Sequence, residues 1–425
     1  MPNSPAKSEI SGGPRTRRVK GLRCRECGAE YQLQAIHFCQ ACFGPLDVAY
    51  DYEVIRQVIS RERIQRGPAS MWRYRDLLPI EDEAPIITLG EGFTPLVKAD
   101  RLGALLGLKN LYLKNDSMNP TNSFKDRVVS VAVSWARVHG YETIGCASTG
   151  NLANSVAAYA ARAGLECYVF VPDDTEEGKL IATGVFEPNV VAVRGNYDDV
   201  NRLCSQLIDE QDWAFCNINV RPYYAEGSKT LTFETAEQLG WELPDEIIIP
   251  IASGCQFVRH RRAIQELVDL GLVDKPDRLP RLTGAQAAGC APVYNAWREG
   301  TEQIKPVRPQ TIARSIAIGN PSDGPYVIRI ARETGGVVEA VTEEEIVDGM
   351  RLLARTEGIF TETAGGVTIG TLAKLARAGR WSGEEVVVAY ITGHGLKTPE
   401  VVPLGGERRV EIEPTMRAFR EKVSV

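Results

Sequence analysis

The stretch DEIIIPIAS (245–253) is apolar from Ile247 to Ala252. A strand with one face in water alternates apolar and polar residues, whereas a strand covered by helices on both faces can be apolar throughout. Further runs of strand character alternate with helical patterns along the chain: LKNLYLKND (108–116), ETIGCAS (142–148), LECYVFVP (165–172), NVVAVRG (189–195), RLTGAQA (281–287) and EVVVAYITG (385–393). This alternation predicts an α/β fold with parallel sheets.

Length and charge narrow the class of protein. A chain of 425 residues predicts two or three folded units. With 49 basic and 55 acidic side chains the formal charge is -6, so no global positive field would attract nucleic acid or an anionic membrane. The sequence has no apolar run of about 18 residues and no apolar stretch typical of a signal peptide at its start. We therefore expect a cytoplasmic protein without a membrane or nucleic-acid partner.

Four of the ten cysteines form two close pairs, Cys24 with Cys27 and Cys39 with Cys42. Four thiolates at this spacing match the closed tetrahedral shell of structural zinc. Disulfides or free structural cysteines are the alternatives, and a cytosolic location disfavours disulfides. We predict a zinc ribbon and interpret His37, inside the loop, as a surface residue. The other cysteines are predicted to be small buried hydrophobes without a catalytic role: Cys146, Cys167, Cys204, Cys216, Cys255 and Cys290.

Polar loops follow several of the strand-like runs, where ligands bind in open parallel sheets. The loop NPTNSFKDR (119–127) leads into a helical pattern and places Lys125 in the first helical turn. The helix dipole there opposes a positive charge, which favours a neutral amine and hence a nucleophile. For a lone lysine, a solvated side chain is the ordinary interpretation.

Three other loops could bind a ligand. STGN (148–151) and ASGCQ (252–256) each join a strand to a helix, where backbone amides can hold a carboxylate or a phosphate. TGHGLK (392–397) follows the strand VVVAYI and offers a hydroxyl that could face a ring nitrogen. A helix cap or a tight turn explains each loop equally well when it is taken alone.

Taken together and in this order, the loops resemble the threonine synthase family of fold type II pyridoxal phosphate enzymes. The resemblance spans residues 21–405 and includes EGFTPL (91–96), VRGNYDDV (193–200), AEGSKT (225–230), GAQAAGCAPV (284–293) and SIAIGNPSDG (315–324). It implies a tryptophan synthase β-like fold, with two α/β domains around the cofactor and a small zinc ribbon before them. A homodimer is expected from the resemblance alone.

The resemblance also implies domain boundaries. We expect a flexible tail over 1–20, a zinc ribbon over 21–50, a segment over 51–130 that joins the large cofactor domain, a smaller α/β domain over 131–220, the large domain over 221–410 and a C-terminal tail over 411–425. The first tail is expected because its Pro, Ser, Gly and basic residues lack a periodic apolar face.

Specific roles follow from the resemblance. Lys125 would form a Schiff base with pyridoxal 5'-phosphate, Asn151 would bind the pyridine hydroxyl, and Thr392 would face the pyridine nitrogen. The residues that would hold the cofactor phosphate are Ser253, Gly254, Cys255 and Gln256, and those that would hold the substrate carboxylate are Ser148, Thr149 and Gly150. A hydroxyl opposite the ring nitrogen leaves that nitrogen largely unprotonated, which restrains transamination.

The implied reaction converts the phosphoamino acid O-phospho-L-homoserine and water to L-threonine and phosphate. Phosphate would leave from the γ-carbon and water would add at the β-carbon, with Lys125 removing the α-proton and relaying protons.

The sequence departs from the family pattern at Leu152, where many relatives have a hydroxyl residue thought to touch the substrate phosphate. Arg221 could compensate, because a guanidinium grips phosphate in a bidentate fork, and Ser228 and Lys229 lie close in sequence. A surface ion pair is the other interpretation of Arg221. Further candidates, each explained as well by a structural role, are Arg314, Asn320 and Gln286, the last as a helix-capping amide.

Two other functions stay open. Leu152 motivates a β-eliminating or β-replacing relative, such as a dehydratase or a cysteate synthase that acts on O-phosphoserine. The basic side chains of residues 15–25 motivate a zinc-ribbon protein that binds nucleic acid or a partner and has lost catalysis, although charge runs are usually solvated tails.

Overall fold

The computed structural model describes residues 17–173, 175, 177–195, 197–402 and 409–423, which form two compact units. The first unit contains the described residues up to Pro95, together with Asn119–Leu243 and Val258–Leu279. The second contains Leu96–Met118, Pro244–Phe257 and the described residues from Pro280 onward. The domain boundaries expected from the sequence stay a prediction.

The strands and helices have the following bounds. The strands are β1 Val19–Cys24, β2 Glu30–Tyr31, β3 Leu46–Tyr50, β4 Leu96–Lys98, β5 Asn110–Asn115, β6 Thr143–Ala147, β7 Glu166–Pro172, β8 Asn189–Val193, β9 Ala214–Phe215, β10 Glu246–Pro250, β11 Arg281–Ala287, β12 Val338–Val341 and β13 Val386–Ile391. The α-helices are α1 Tyr52–Val58, α2 Arg61–Gln65, α3 Asp100–Leu106, α4 Lys125–Val138, α5 Asn151–Ala163, α6 Glu177–Gly184, α7 Tyr197–Glu210, α8 Arg221–Glu226, α9 Lys229–Gln238, α10 Cys255–Asp269, α11 Pro292–Arg298, α12 Gly324–Thr334, α13 Glu343–Glu357, α14 Thr363–Arg377 and α15 Met416–Lys422.

The first unit contains two sheets. A small antiparallel sheet has the strand order β2-β1-β3, and a parallel sheet has the order β8-β7-β6-β9. Every residue of β6 is buried. Helix α4 is buried from Asp126 to Ala136 and packs against α5 and α8, so its first residue is held by a rigid interior helix.

The second unit is built on a six-stranded sheet in the order β12-β11-β10-β13-β5-β4. Its strands are parallel except β4, which runs antiparallel to β5. Central strand β10 is buried at every residue, as its apolar sequence predicts. The predicted α/β fold with parallel sheets is confirmed. The carboxyl ends of β10, β11, β12, β13 and β5 lie at one edge of this sheet.

The segment around Arg18 leads into the first strand. Residues 1–16 lie outside the described residues, but Val19 begins β1 and Arg18 is only 4% exposed. The Arg18 guanidinium pairs with the buried carboxylate of Asp76 and with Asp82, the latter at 2.8 Å. The segment has no periodic apolar face in its own sequence. These long-range ion pairs offset the conformational entropy that it loses when it becomes ordered. Across the described ranges, we find no helix long and apolar enough to cross a membrane.

Candidate active site

Lys125 is the first residue of α4, and its amine faces aromatic side chains. Its Nζ donates a hydrogen bond of 3.0 Å to the hydroxyl of Tyr224 in α8. The same nitrogen lies 4.7 Å from the ring centroid of Phe124 and 5.6 Å from that of Tyr224. Tyr224 was missed by the sequence analysis, although it directly precedes the segment AEGSKT (225–230). The amine is therefore held at a defined place rather than freely solvated.

The residues beside Lys125 are fixed by buried polar contacts. The carboxylate of Asp126 accepts hydrogen bonds from the backbone and hydroxyl of Thr121, at 2.7 and 2.6 Å, and from the hydroxyl of Ser155 at 2.6 Å. Burial raises the pKa of Asp126 to about 6, although these hydrogen bonds act in the opposite direction. Next to it, the fully buried Arg127 forms an ion pair of 2.5 Å with Glu234 in α9. These contacts position the start of α4.

The loop 148–151 joins the carboxyl end of β6 to α5. Ser148 and Thr149 are partly exposed and Gly150 is exposed, whereas Asn151 is only 9% exposed. Ser155, in the next turn of α5, is the residue that donates to Asp126. The structure thus ties this loop and the Lys125 loop to the same helix. Leu152 is buried, which agrees with a packing role.

The loop 253–256 joins β10 to the 15-residue helix α10. Gly254 has a φ of +91°, and a Cβ there would lie 2.8 Å from Val327 Cγ2 and 3.0 Å from Asp323 Cβ, so a side chain does not fit. The backbone N–H of Asp323 donates to the Ser253 carbonyl at 2.9 Å. The buried Nε2 of Gln256 has no hydrogen-bond partner within the described ranges. A small-residue turn at a helix N-terminus with an unsatisfied donor fits a phosphate group.

Thr392 follows β13 and is 3% exposed. Because β13 pairs with β10 in parallel, Thr392 and the 253–256 loop lie at the same sheet edge. The carbonyl of Gly393 accepts hydrogen bonds from the Glu362 backbone at 3.0 Å and from the Thr361 hydroxyl at 3.1 Å. The turn after Thr392 is thus anchored to the segment that begins α14. The second unit therefore has the 253–256 turn and the Thr392 residue at the same sheet edge.

The predicted phosphate contact of Lys229 is corrected by the structure. Lys229 is fully buried, and its Nζ pairs with Glu226 at 2.7 Å and with Glu266 at 2.9 Å. Arg259 is also buried and pairs with Glu226 at 3.0 Å and with Asp47 at 2.8 Å. Both cations are neutralised by interior carboxylates, so they stabilise the fold instead of binding a substrate anion.

Arg221 begins α8 and lies close to the ribbon. Burial and the nearby charge of Arg221 lower the pKa of His37 to about 4. His37 is partly exposed. The hydroxyl of Tyr223 donates to the Gln34 carbonyl at 3.0 Å and accepts from the Gln34 N–H at 3.1 Å. The ribbon therefore packs on the first turn of the helix that carries Tyr224.

Arg314 and Asn320, the remaining candidate anion contacts, are both exposed in the second unit. Gln286, by contrast, is buried and accepts hydrogen bonds from the first amides of α11. The helix-capping interpretation of Gln286 is confirmed by these contacts.

The four ribbon cysteines converge. The Sγ atoms of Cys24, Cys27, Cys39 and Cys42 all lie within 4.8 Å of one another. The distance is 3.4 Å from Cys24 to Cys42 and 3.6 Å from Cys27 to Cys39, and none of the four is in a disulfide. Four thiolates around one zinc ion at about 2.3 Å would be about 3.8 Å apart. The cluster has the dimensions of a tetrahedral metal shell.

Comparison with known proteins agrees with this geometry. Residues 87–393 match the family described as "Pyridoxal-phosphate dependent enzyme". The chain is 40% identical over 400 residues to the threonine synthase of Methanocaldococcus jannaschii, covering 94% of this chain and 98% of that protein. It is also 40% identical over 405 residues to the threonine synthase of Methanosarcina acetivorans, covering 95% and 98%. The chain belongs to the threonine synthase family of pyridoxal-phosphate-dependent enzymes. The family expected from the sequence motifs is confirmed.

Solved structures of other members of this fold are also similar. Maize serine racemase has a TM-score of 0.61 at 18% identity, covering 72% of this chain and 90% of that protein. The processed threonine deaminase isoform 2 of Solanum lycopersicum has a TM-score of 0.61 at 20% identity, covering 88% and 97%. At these identities the likeness concerns the fold alone, and it confirms the fold type II architecture predicted for the threonine synthase family.

Proposed function

We propose that this chain is a threonine synthase that converts O-phospho-L-homoserine and water to L-threonine and phosphate. The observation that carries this proposal is the 40% identity to threonine synthases across 98% of their length. A match of this extent covers 94% or more of this chain. It makes the chain a pyridoxal-phosphate-dependent lyase of threonine biosynthesis.

The residues fit pyridoxal 5'-phosphate. The phosphate would be held by Ser253, Gly254, Cys255 and Gln256, because this turn excludes a side chain at Gly254 and leaves a buried amide donor unsatisfied. Lys125 would bond covalently to the aldehyde. Asn151 would bind the pyridine hydroxyl, and the buried hydroxyl of Thr392 would face the pyridine nitrogen.

When bound, pyridoxal phosphate supplies an electron sink that stabilises negative charge at the substrate carbon atoms. Lys125 Nζ would take up the α-proton and return protons to neighbouring carbons, since it is the positioned amine of the site. The Tyr224 hydroxyl would orient that amine through its hydrogen bond. The amides of Ser148, Thr149 and Gly150 would bind the substrate carboxylate at the start of α5. Thr392 would leave the ring nitrogen largely unprotonated and so restrain transamination.

Substrate choice depends on which groups contact the leaving phosphate. Leu152 has no donor, and Lys229 is neutralised by Glu226 and Glu266, so Arg221 is left as the proposed contact. The second candidate function is that of a relative that acts on the shorter O-phosphoserine by β-elimination or β-replacement. It is favoured because fewer groups would hold the substrate phosphate.

A direct assay of the purified protein with both phosphoamino acids separates the two functions. The assay follows the release of phosphate and the formation of threonine. Phosphate release from O-phosphohomoserine without threonine would reject the first function, and preference for O-phosphoserine would select the second.

We also propose that Cys24, Cys27, Cys39 and Cys42 hold one structural zinc ion. The convergence of four free thiols within 4.8 Å of one another supports this. A closed four-sulfur shell has no open position for substrate, so the metal would stabilise the ribbon rather than take part in catalysis. A homodimer and a cytoplasmic location stay predictions from the sequence.

A further inference from the structure

Gln286, at the carboxyl end of β11, has one satisfied and one unsatisfied polar atom. Its Oε1 accepts hydrogen bonds from the backbone N–H groups of Val293 and Tyr294, at 3.1 and 3.0 Å. Its Nε2 has no hydrogen-bond partner among residues that the structure describes, although the side chain is only 1% exposed. A buried amide donor without a partner carries a desolvation cost, so capping α11 does not account for the whole side chain.

The two faces of β11 show where this donor points. Ala285 and Ala287 pack into the apolar cluster that contains Ile346 and Val367, from α13 and α14. Gly284 lies on the opposite face, where a Cβ would meet Ile251 and would lie 3.5 Å from the Phe257 ring of α10. Because side chains alternate along a strand, Gln286 lies on the face of Gly284 and α10.

Strand register places Gln286 level with the segment that leads into the 253–256 turn. The N–H of Ile251 donates to the Ala285 carbonyl at 2.8 Å, so Gln286 lies level with the residues that lead into Ser253. β11 and β13 flank β10, so Gln286 and Thr392 lie on either side of the 253–256 loop. Gln256 and Gln286, each with an unsatisfied Nε2 atom, therefore lie at the same edge of the sheet.

We propose that Gln286 Nε2 donates a hydrogen bond to the phosphate monoester of pyridoxal phosphate held by the 253–256 loop. This rests on the proposed function, because it names a further contact for the same cofactor. Gln286 would thus do two things with one amide group: its oxygen caps α11 and its nitrogen binds the phosphate. Rigid attachment to α11 would hold the donor in place before the cofactor arrives.

Gln286→Glu separates these two roles. A glutamate keeps the acceptor for the Val293 and Tyr294 amides but replaces the donor with a negative charge. The matched control is Gln303→Glu, which adds the same charge at an exposed position in the same unit. Cofactor-free full-length protein is titrated, without substrate, with pyridoxal phosphate and in parallel with pyridoxal, which lacks the phosphate. Tryptophan fluorescence reports both dissociation constants, and a melting curve of each cofactor-free variant reports stability.

For Gln286→Glu we expect the dissociation constant for pyridoxal phosphate to rise about tenfold or more, while that for pyridoxal stays as in the parent. The melting temperature of the cofactor-free variant should fall, because the substitution buries a charge. Gln303→Glu should bind both compounds like the parent. An unchanged affinity for pyridoxal phosphate, or an equal loss for both compounds, would overturn the proposal. If Gln286→Glu does not fold, Gln286→Met is titrated instead; it lacks the helix cap as well as the donor, so its melting temperature should fall, and the loss of affinity should again be confined to pyridoxal phosphate. A parent protein that does not bind pyridoxal phosphate at all would instead contradict the proposed function.

Discussion

The amine of Lys125 and the hydroxyl of Tyr224 are joined by a hydrogen bond of 3.0 Å, although the two residues are 99 positions apart. α4 and α8 pack against each other and bring the two together. The neighbouring Tyr223 is held differently: its ring stacks on Trp135 at 4.0 Å and its hydroxyl bonds to the backbone of Gln34. Adjacent tyrosines therefore serve two purposes, one at the amine and one at the ribbon.

Tyr224→Phe should slow turnover about tenfold, because it removes one hydrogen bond that positions the Lys125 amine and leaves the ring in place. Bound cofactor should stay at the parent level. Steady-state kinetics and the visible absorbance of the purified variant measure the two quantities. Tyr223→Phe is the matched control: it should lower stability by about 1 kcal/mol and leave the turnover number unchanged. Equal turnover in both variants would show that the Tyr224 hydroxyl has no part in the reaction.

Gly254→Ala should weaken binding of pyridoxal phosphate at least about tenfold, because the residue has a φ of +91° and a Cβ would collide with Val327 and Asp323. Fluorescence titration of the cofactor-free protein measures this. Gly300→Ala serves as the comparison, since Gly300 also has a positive φ, +74°, but has nothing within 4 Å of the added carbon. It should lower the melting temperature slightly and bind the cofactor normally. Normal binding by Gly254→Ala would mean that the 253–256 turn does not hold the phosphate.

Glu226→Gln should lower the free energy of unfolding by about 3–5 kcal/mol at pH 7, because it leaves the buried charges of Lys229 and Arg259 partly uncompensated. Denaturant unfolding measures this. Glu299→Gln is the control: Glu299 pairs with Lys305 at 2.7 Å on the surface, so its loss should cost no more than about 1 kcal/mol. A small effect of Glu226→Gln would contradict a stabilising role for the buried network.

The effect of Glu226→Gln should also depend on pH. Burial alone would raise the pKa of Glu226, but the charges of Arg262, Lys229 and Arg259 outweigh burial and lower the pKa from 4.5 to about 2. A lowered pKa contributes stability that is present above pH 4.5 and is lost as the pH falls toward 2. The stability gap between parent and variant should therefore narrow over that range. A gap that is constant from pH 7 to pH 2 would argue against an ionised Glu226.

The ribbon should contain one zinc ion per chain, and Cys27→Ser and Cys42→Ser should each lose it, because a four-sulfur shell needs every ligand. Metal content by mass spectrometry measures this, and a melting curve should show lower stability in both variants. Cys204→Ser changes a buried cysteine outside the cluster and should keep the metal. Zinc retained by a Cys27→Ser, Cys42→Ser double variant would place the ion elsewhere.

Features encoded in short stretches of sequence could be predicted. The buried strand β10 is visible in its unbroken apolar run, and the 253–256 turn is visible in its small residues. The cysteine spacing likewise predicts the thiol cluster, because each close pair lies within a few residues.

Features that depend on distant partners could not be predicted. In the sequence, Lys229 looks like a free cation beside Ser228, but one of its two carboxylate partners, Glu266, is 37 residues away. The motif that follows Tyr224 did not reveal its role, because that role depends on the packing of α8 on α4. Nothing nearby in sequence predicts that His37 would be only partly exposed and would lie near Arg221.

Borohydride reduction followed by peptide mass spectrometry shows whether the Lys125 amine carries the cofactor. Reduction makes the bond between amine and cofactor permanent, so the modified lysine can be identified. We expect one pyridoxyl group per chain on the peptide that contains Lys125, and neither that group nor the visible absorbance band in Lys125→Ala. A pyridoxyl group on any other lysine, or a parent protein that takes up no cofactor, would contradict it.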